Sequence, residues 1–416
     1  MDKKVLMIAF HFPPLKGSSG IQRTLKFCQY LPIYGWQPIV LSVNERAYEE
    51  ISQEQLNDIS PNTIVRRTFA LDTKQHLSIM GRYPIYFVIP DRWISWLPFG
   101  LAQGICLAHK FRPTIIWSTY PIATAHLIGY VLHRMTKIPW IADLRDPMAQ
   151  DGYPENPIQW KSFKWIEDRI AKYASAICFT SPSAVLDFIN KHPAIVNKER
   201  LHLIENGYDE ESFQQALQFR KLHPINKNRP LTLLHSGIIY PSERDPRPFF
   251  KAISHLKKSG LITSSTVNII FRATCHDDLF SSMINANNLE DIVKLVPPLP
   301  YIEALAEMLD SDGLILFQAA NCNYQIPAKL YEYLRTGRPI LGLIDKKGDT
   351  AKILSRYPNH KTCDIALSEE IETTFVNYLN ELNTIESLSN YASDLTQYSR
   401  QKMTEKLADL LNSILK

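Results

Sequence analysis

A lysine and a glutamate stand three residues apart in residues 324–343, which read YQIPAKLYEYLRTGRPILGL. Pro327 fits the first turn of a helix and Gly337 its C-terminal cap. Lys329 and Glu332 are therefore predicted to share one helical face. The pair is either an ordinary surface ion pair or part of a nucleotide site. In the second case Glu332 accepts hydrogen bonds from two ribose hydroxyls and Lys329 neutralises a diphosphate.

A second charged loop follows the strand predicted at residues 231–235. It reads SGIIYPSERDP and precedes a predicted helix. Backbone N–H groups around Gly237 and the helix terminus suit a phosphate, and Arg244 adds a guanidinium fork. Arg247 is expected to face solvent at the start of the helix. The loop is therefore a candidate phosphate site.

The loop after the first predicted strand contains two glycines in GxxG spacing. It reads FPPLKGSSGIQR, where Gly17 and Gly20 allow a tight backbone and Ser18 or Ser19 can cap the next helix. A plain strand-to-helix turn explains this pattern, and so does a phosphate contact at the helix terminus. The spacing differs from the GxGxxG of a nicotinamide site.

Three charged residues follow the strand predicted at 140–142. Asp143, Arg145 and Asp146 stand in the sequence ADLRDP. The carboxyl end of a parallel strand is where α/β sheets place their ligands. The acids either bind substrate hydroxyls or a metal, or they pair with the arginine and fix the loop. Two acids alone are a weak indication of a metal.

Short β-branched runs alternate with helical segments throughout the chain, which predicts parallel sheets covered on both faces. The pattern restarts after a polar segment, so we expect an α/β protein with two Rossmann-like domains. The predicted parts are a first domain at 1–208, a linker at 209–230, a second domain at 231–385 and a closing helix at 386–416. The uncharged stretch 113–133 is predicted to be a strand, a turn and a helix, not a membrane span.

Composition excludes several classes of protein. The chain has 416 residues, of which 45% are hydrophobic and 21% charged, so it is neither disordered nor a coiled coil. Its net charge of +4 is too small to predict nucleic-acid binding. The six cysteines have no CxxC spacing, which favours a reducing compartment over zinc or disulfides. The N-terminal apolar run VLMIAF predicts a buried strand, not a signal peptide.

Residues 83–111 are rich in aromatic side chains and include Trp93 and Trp96. Arg92 and Lys110 flank the uncharged part, and prolines break the segment, so it is too short to span a bilayer. Aromatic residues beside cations suit a membrane interface. The same side chains equally suit the core of the first domain or an acceptor cleft.

Taken together, these segments resemble the GT-B glycosyltransferases, specifically the bacterial glycosyltransferase family 4 type. The resemblance spans nearly the whole chain and depends on ordered motifs, which are FPPLKGSSGIQR, PDRWISW, WSTYP, IADLRDP, ENGYDEESF, LHSGIIYPSERDP and IPAKLYEYLRTGRPILGL. It implies two Rossmann-like domains facing each other across a cleft, the first for the acceptor and the second for a nucleoside-diphosphate sugar. The last helix is expected to cross back to the first domain. The reaction is expected to retain the anomeric configuration and to need no metal ion or other cofactor.

The resemblance also assigns roles to three sets of residues. The expected catalytic residues are Arg244, Lys329, Asp143, Arg145 and Asp146. The expected donor-binding residues are Gly237, Tyr240, Glu332, Tyr324, Ile326, Gly17 and Gly20. The expected acceptor-binding residues are Tyr120, Trp93 and Trp96.

Two motifs in the second half depart from the family pattern. The first Glu of the family's Glu-x7-Glu motif, which usually touches the donor sugar, is Tyr324 here. The phosphate loop has Ile238 and Arg244 where the family usually has an arginine and a lysine. Lys329 is therefore the candidate for the missing positive charge.

The leading hypothesis is a retaining, metal-independent glycosyltransferase of bacterial surface polysaccharide assembly. It would transfer a sugar from a nucleoside-diphosphate sugar to a glycan, expected to be lipid-linked. It would work in the cytoplasm, with peripheral contact to the inner face of the cell membrane and no nucleic-acid partner. Many family members have a histidine at the position of Thr119 or Tyr120. Neither residue is a histidine here, so no general base is assigned. Stabilisation of the leaving diphosphate by Arg244 and Lys329 is then the main catalytic effect expected.

Two other functions stay open. A sugar-nucleotide epimerase also uses the GT-B fold and would need acids such as Asp143 and Asp146. A catalytically silent GT-B protein acting as a partner is suggested by the missing first Glu.

Overall fold

The computed structural model describes residues 3–16, 20–78, 82–222, 229–241, 244–384 and 392–416. The chain divides into two compact units. The first unit comprises Met1–Asn206 together with Arg400–Lys416, and the second comprises Gly207–Ser399.

The first unit is built on a seven-stranded parallel sheet. Its strands are β1 (Lys3–Ile8), β2 (Trp36–Val43), β3 (Ile64–Thr68), β4 (Ile115–Thr119), β5 (Trp140–Leu144), β6 (Ala176–Phe179) and β7 (Leu201–Leu203). They are ordered β3-β2-β1-β4-β5-β6-β7, and all neighbours are parallel. Every residue of β4 and β5 is buried, as expected for inner strands covered on both faces.

Helices connect these strands and cover the sheet. They are α1 (Gly20–Tyr30), α2 (Thr73–His76), α3 (Trp96–Phe111), α4 (Ala123–Thr136), α5 (Pro157–Tyr173) and α6 (Pro182–Lys191). Local chemistry sets where α5 and α6 begin. Asn156 and Ser181 accept hydrogen bonds from the first turns, and a proline follows each of them at the first helical position.

The second unit is built on a six-stranded parallel sheet. Its strands are β8 (Leu231–Ser236), β9 (Val267–Arg272), β10 (Val293–Val296), β11 (Gly313–Gln318), β12 (Ile340–Ile344) and β13 (Lys361–Cys363). The order is β10-β9-β8-β11-β12-β13, with all neighbours parallel. The prediction of two Rossmann-like domains is confirmed.

The helices of this unit are α7 (Glu210–Leu222), α8 (Arg247–Lys258), α9 (Asp277–Ala286), α10 (Tyr301–Asp310), α11 (Ala328–Thr336), α12 (Asp349–Leu354), α13 (Ser368–Thr384) and α14 (Ala392–Leu395). Helix α7 lies within the segment predicted as a linker. Arg220 on α7 pairs with Asp310 on α10, and Glu210 pairs with Arg335 on α11 at 2.6 Å. Helix α7 is therefore a packed part of the second unit.

The last helix, α15 (Arg400–Ile414), belongs to the first unit. Its apolar side chains, among them Met403, Leu407 and Leu411, are buried in the core of that unit. Stretch 113–133 forms β4 and most of α4, so the predicted strand, turn and helix are confirmed. Within the described residues, no helix combines the length and the apolar character that crossing a bilayer requires.

Candidate functional site

The amine of Lys329 lies against the loop that follows β8. Gly237 begins this loop with a φ of 104°, a conformation that favours glycine. Lys329 is the second residue of α11, and its Nζ would lie 3.1 Å from a Cβ placed on Gly237. Two segments that are distant in the sequence, both predicted to carry phosphate chemistry, are thus brought together.

Arg244 folds back onto the same loop. Its Nη1 donates to the carbonyl of Ile238 at 2.6 Å, and its guanidinium carbon lies 5.5 Å from the ring of Tyr240. Arg247 instead lies at the surface, where it is 72% exposed and forms a bidentate pair with Asp245. Of these two arginines, Arg244 is the one placed at the Gly237 loop.

The amine of Lys329 is buried beside a second basic group, Arg244. Burial, and then the charge of Arg244, hold the pKa of Lys329 well below its usual range, while Glu332 opposes the shift. A bound anion would raise the pKa of the Lys329 amine, because an added negative charge favours the protonated form of the amine. The loop, the lysine and the arginine together suit a phosphate or diphosphate group.

Glu332 lies one turn after Lys329 on α11 and is partly buried. Its Oε1 accepts a hydrogen bond from the hydroxyl of Tyr301, at the start of α10, at 2.7 Å. The buried hydroxyl of Tyr333 accepts from the backbone N–H of Ser236 at 2.8 Å, which fastens α11 to the end of β8. The two oxygens of the Glu332 carboxylate can accept several hydrogen bonds in total, as the ribose assignment requires.

The segment before α11 places the two other predicted donor residues differently. Tyr324 is 43% exposed, whereas Ile326 is buried in the core of the second unit. The side-chain amide of Gln318 donates to the carbonyls of Cys322 and Gln325 and holds this segment in place. Of the two predicted donor residues, Tyr324 is therefore the one whose side chain reaches solvent.

In the first unit, Asp143 is fully buried in an ion pair with Arg23. Its two oxygens accept from Nη2 of Arg23 at 2.7 Å and from Nε at 3.0 Å, and the hydroxyl of Thr119 donates to it at 2.8 Å. Arg23 also donates to the carbonyls of Ile204 and Glu205. This carboxylate ties β5 to α1 and to the segment after β7.

Arg145 and Asp146 lie beside this pair. Arg145 is only 9% exposed, and its Nη1 donates to the carbonyl of Gly20, the first residue of α1, at 3.2 Å. Burial lowers the pKa of Arg145, and the nearby carboxylate of Asp146, which is partly buried, opposes this. Burial and Arg145 lower the pKa of His11 to about 3, so its ring is neutral. Gly17 lies outside the described residues.

The residues predicted to bind the acceptor pack mainly inside the first unit. Trp96 is fully buried, and its Nε1 donates to the hydroxyl of Thr68 at 2.9 Å. Trp93 is partly buried against the core and lies 4.7 Å from the ring of Phe10. Tyr120 is also buried. Trp96 is therefore a core residue, whereas Trp93 lies at the edge of the core, and neither is among the exposed aromatic side chains.

Sequence reasoning missed several partners of the predicted residues. They are Arg23 in the first unit, and His235, Tyr301 and Tyr333 in the second. The only signal available for His235 was a histidine in an otherwise apolar strand that leads into a glycine loop. Among the described residues, no group of three or more His, Cys, Asp or Glu side chains is arranged to hold a metal ion.

No family model matches the chain, and none of the curated proteins matches it. Several solved structures do match the chain. HepE from Anabaena in complex with UDP-glucose matches at 14% identity and a TM-score of 0.69, with 99% of each chain covered. Sucrose-phosphate synthase from Thermosynechococcus elongatus matches at 11% identity and a TM-score of 0.72, again over 99% of each chain. The chain has the GT-B fold.

The likeness extends beyond transferases. A structure described as a putative UDP-N-acetylglucosamine 2-epimerase from Listeria monocytogenes matches at 10% identity and a TM-score of 0.56, over 100% of this chain and 97% of the other. At such identities a likeness shows the fold alone. The GT-B prediction is confirmed, and the assignment to glycosyltransferase family 4 stays a prediction.

Proposed function

We propose that this protein is a GT-B glycosyltransferase that transfers a sugar from a nucleoside-diphosphate sugar to a glycan acceptor. The observation that carries the proposal is the convergence of Lys329 and Arg244 on the Gly237 loop, with Glu332 one turn further along α11. Cations at a glycine loop match a diphosphate, and a carboxylate nearby matches ribose hydroxyls. HepE, which shares the fold along its whole length, is described in complex with UDP-glucose.

The catalytic effect follows from where charge develops. As the bond between the sugar and the diphosphate breaks, negative charge accumulates on the leaving phosphate. Lys329 and Arg244 are placed to stabilise that charge, which lowers the barrier. Because two side-chain cations perform this role, we propose a metal-independent reaction, with retention at the anomeric carbon.

For the acceptor we propose a lipid-linked glycan, as in bacterial surface polysaccharide assembly, with peripheral contact at a membrane. Several aromatic side chains of the first unit are exposed. Tyr86 is 78% exposed and Phe87 50% exposed in a short helix at Ile85–Val88, and Tyr83 and Phe99 are also exposed. Lys110 and Arg112 stand at the end of α3, the helix that carries Phe99, so this part of the chain supplies both aromatic and basic groups.

The epimerase alternative is weakened by the state of Asp143. An epimerase needs acids that can exchange protons with its substrate, whereas both oxygens of this carboxylate are occupied by Arg23. The silent-partner alternative differs from the proposal only in turnover. Retained nucleotide binding without sugar transfer would support it.

The test is a thermal-shift screen with nucleoside diphosphates and their sugars, followed by transfer assays with the donor that binds. A ligand at about 100 times its dissociation constant stabilises the folded state by roughly 2.7 kcal/mol. NMR of the product gives the anomeric configuration, and activity should survive EDTA. If no nucleotide stabilises the protein, the proposal is wrong. If free sugar appears without an acceptor, the epimerase is favoured instead.

A further inference from the structure

His235 lies directly behind the Gly237 loop, at the end of β8. The residue is fully buried, and its ring lies 6.0 Å from the ring of Phe271 and 5.2 Å from that of Phe317. A histidine in such surroundings is most often a core residue whose polar atoms are satisfied by the backbone. The contacts of its two nitrogens therefore decide whether it does more.

The two ring nitrogens face different groups. Nδ1 lies 2.9 Å from the carbonyl of Ile315. Nε2 lies 3.1 Å from the carbonyl of Gly237 and 3.2 Å from Nζ of Lys329. Each nitrogen faces a carbonyl, which can only accept, so the carbonyls alone do not fix the position of the ring hydrogen. With the hydrogen on Nδ1, Nδ1 donates to the carbonyl of Ile315 and Nε2 accepts from the amine of Lys329. The hydrogen bond from the amine to Nε2 then holds Nζ beside the loop.

Among the residues that the structure describes, three titratable groups face the amine of Lys329. They are His235 on β8, Arg244 on the loop after β8, and Glu332 on α11 itself. Burial and Arg244 keep the pKa of the amine low despite Glu332. Burial, Lys329 and then Arg244 keep the pKa of His235 well below its usual value, so the ring stays neutral. A diphosphate bound here would add negative charge next to the amine and favour its protonated form.

We propose that His235 is a positioning residue for Lys329, and that the amine it holds takes up a proton from solvent when a diphosphate binds. This inference rests on the proposed function, since the diphosphate is that of the nucleotide-sugar donor. The neutral amine and one proton give an ammonium group, and no other bond changes. The full positive charge is thus present at the loop when the leaving phosphate needs it.

Proton uptake can be measured directly. UDP is titrated into the protein by calorimetry at about pH 8, where a terminal phosphate with a second pKa of about 6 is ionised. Repeating the titration in buffers of different ionisation enthalpy gives the number of protons bound. The wild type should take up as much as about one proton per UDP. Lys329→Met should take up almost none, and Lys251→Met, at an exposed position of α8, should match the wild type.

Two outcomes separate this inference from the proposed function. UDP binding to the wild type without proton uptake overturns the inference and leaves the proposed function standing. Failure of UDP and of every other nucleoside diphosphate to bind overturns both.

A pair of matched variants tests the positioning role. His235→Gln keeps an acceptor near the position of Nε2, whereas His235→Asn keeps only the group near Nδ1. Both bury one amide, so a purely structural role predicts similar behaviour. We expect the Asn variant to bind UDP roughly tenfold more weakly than the wild type, as for the loss of one hydrogen bond of about 1.4 kcal/mol. The Gln variant should bind UDP about as well as the wild type. Equal affinities for the two folded variants would overturn the role.

Discussion

Lys329 lies directly against the space that a Cβ would take at residue 237. Its Nζ would lie 3.1 Å from that atom, and its Cε 3.5 Å. Two separate features favour glycine at residue 237: the positive φ, and the lysine amine that a Cβ would push aside. The two effects can be measured apart, because a second glycine in the same unit has only the first.

Gly237→Ala should destabilise the protein and also weaken nucleotide binding. The strained backbone should cost about 1 kcal/mol or more in unfolding free energy. The displaced amine should lower UDP affinity by roughly tenfold. Gly260→Ala is the matched control, since Gly260 has a φ of 75° and nothing within 4 Å of its Cβ position. Chemical denaturation and calorimetry measure both quantities. Equal UDP affinity in the two variants would show that Lys329 does not act at this loop.

Lys329→Met and Arg244→Ala should each lower turnover by roughly 10²-fold, as expected when one group that stabilises the transition state is lost. Arg247→Ala should retain wild-type turnover, because Arg247 points to solvent and pairs with Asp245. The measurement is kcat with the donor identified by the binding screen. Similar losses for Arg244→Ala and Arg247→Ala would refute the assignment of Arg244.

Glu332→Ala should weaken nucleotide binding more than it destabilises the fold. Each hydrogen bond from a ribose hydroxyl to a carboxylate contributes about 1.5–3 kcal/mol. Glu307→Ala is a suitable comparison, because this glutamate on α10 forms a bidentate pair with Arg272 and has no proposed role with the ligand. The affinities for UDP and uridine, with melting curves for each variant, provide the readout. An unchanged affinity in folded Glu332→Ala would remove Glu332 from the site.

Asp143→Asn should destabilise the first unit by about 3–5 kcal/mol, because it leaves the guanidinium of Arg23 buried without its counter-charge. Asp245→Asn removes the partner of an exposed arginine and should cost less than about 1 kcal/mol. Urea denaturation of both variants decides the point. If Asp143→Asn unfolds like the wild type but loses turnover, Asp143 is a catalytic acid after all.

The local pattern of the sequence was sufficient to predict much of the second unit's site. Helix α11 has a glycine C-cap, and its Lys329 and Glu332 lie one turn apart as the spacing requires. The alternation of apolar strands and helices likewise predicted two parallel sheets. Such features depend on neighbours a few residues away, which is the range over which propensity and capping act.

Contacts between distant segments could not be predicted in the same way. Asp143 was expected to pair within its own loop or to act on a substrate, yet its partner is Arg23, 120 residues earlier. The lysine and His235 are 94 residues apart, and no periodicity in either segment connects them. Trp93 and Trp96 illustrate the same difficulty, because a cluster of aromatic residues has one appearance in sequence whether it faces a core or a membrane.

The packing of those tryptophans, with Trp96 buried and Trp93 partly buried, changes which residues test membrane contact. We expect the protein to bind reversibly to vesicles that contain anionic lipid, with binding weakened by salt because the Debye length falls below about 10 Å above 0.1 M. Replacing both Tyr86 and Phe87 by Ser should lower binding by roughly tenfold or more. Burying one exposed ring in the membrane contributes at most about 1.5–3 kcal/mol, and the double variant loses this contribution at both positions.

Leu186→Ser, at an exposed position of α6, is the control for losing an apolar side chain elsewhere on the first unit. Sedimentation with vesicles at low and high salt measures the bound fraction. A wild-type protein that stays in the supernatant at low salt would contradict membrane contact. Equal losses in the double variant and in Leu186→Ser would instead indicate nonspecific adsorption, because apolar area alone would then explain the binding, whichever part of the surface it comes from.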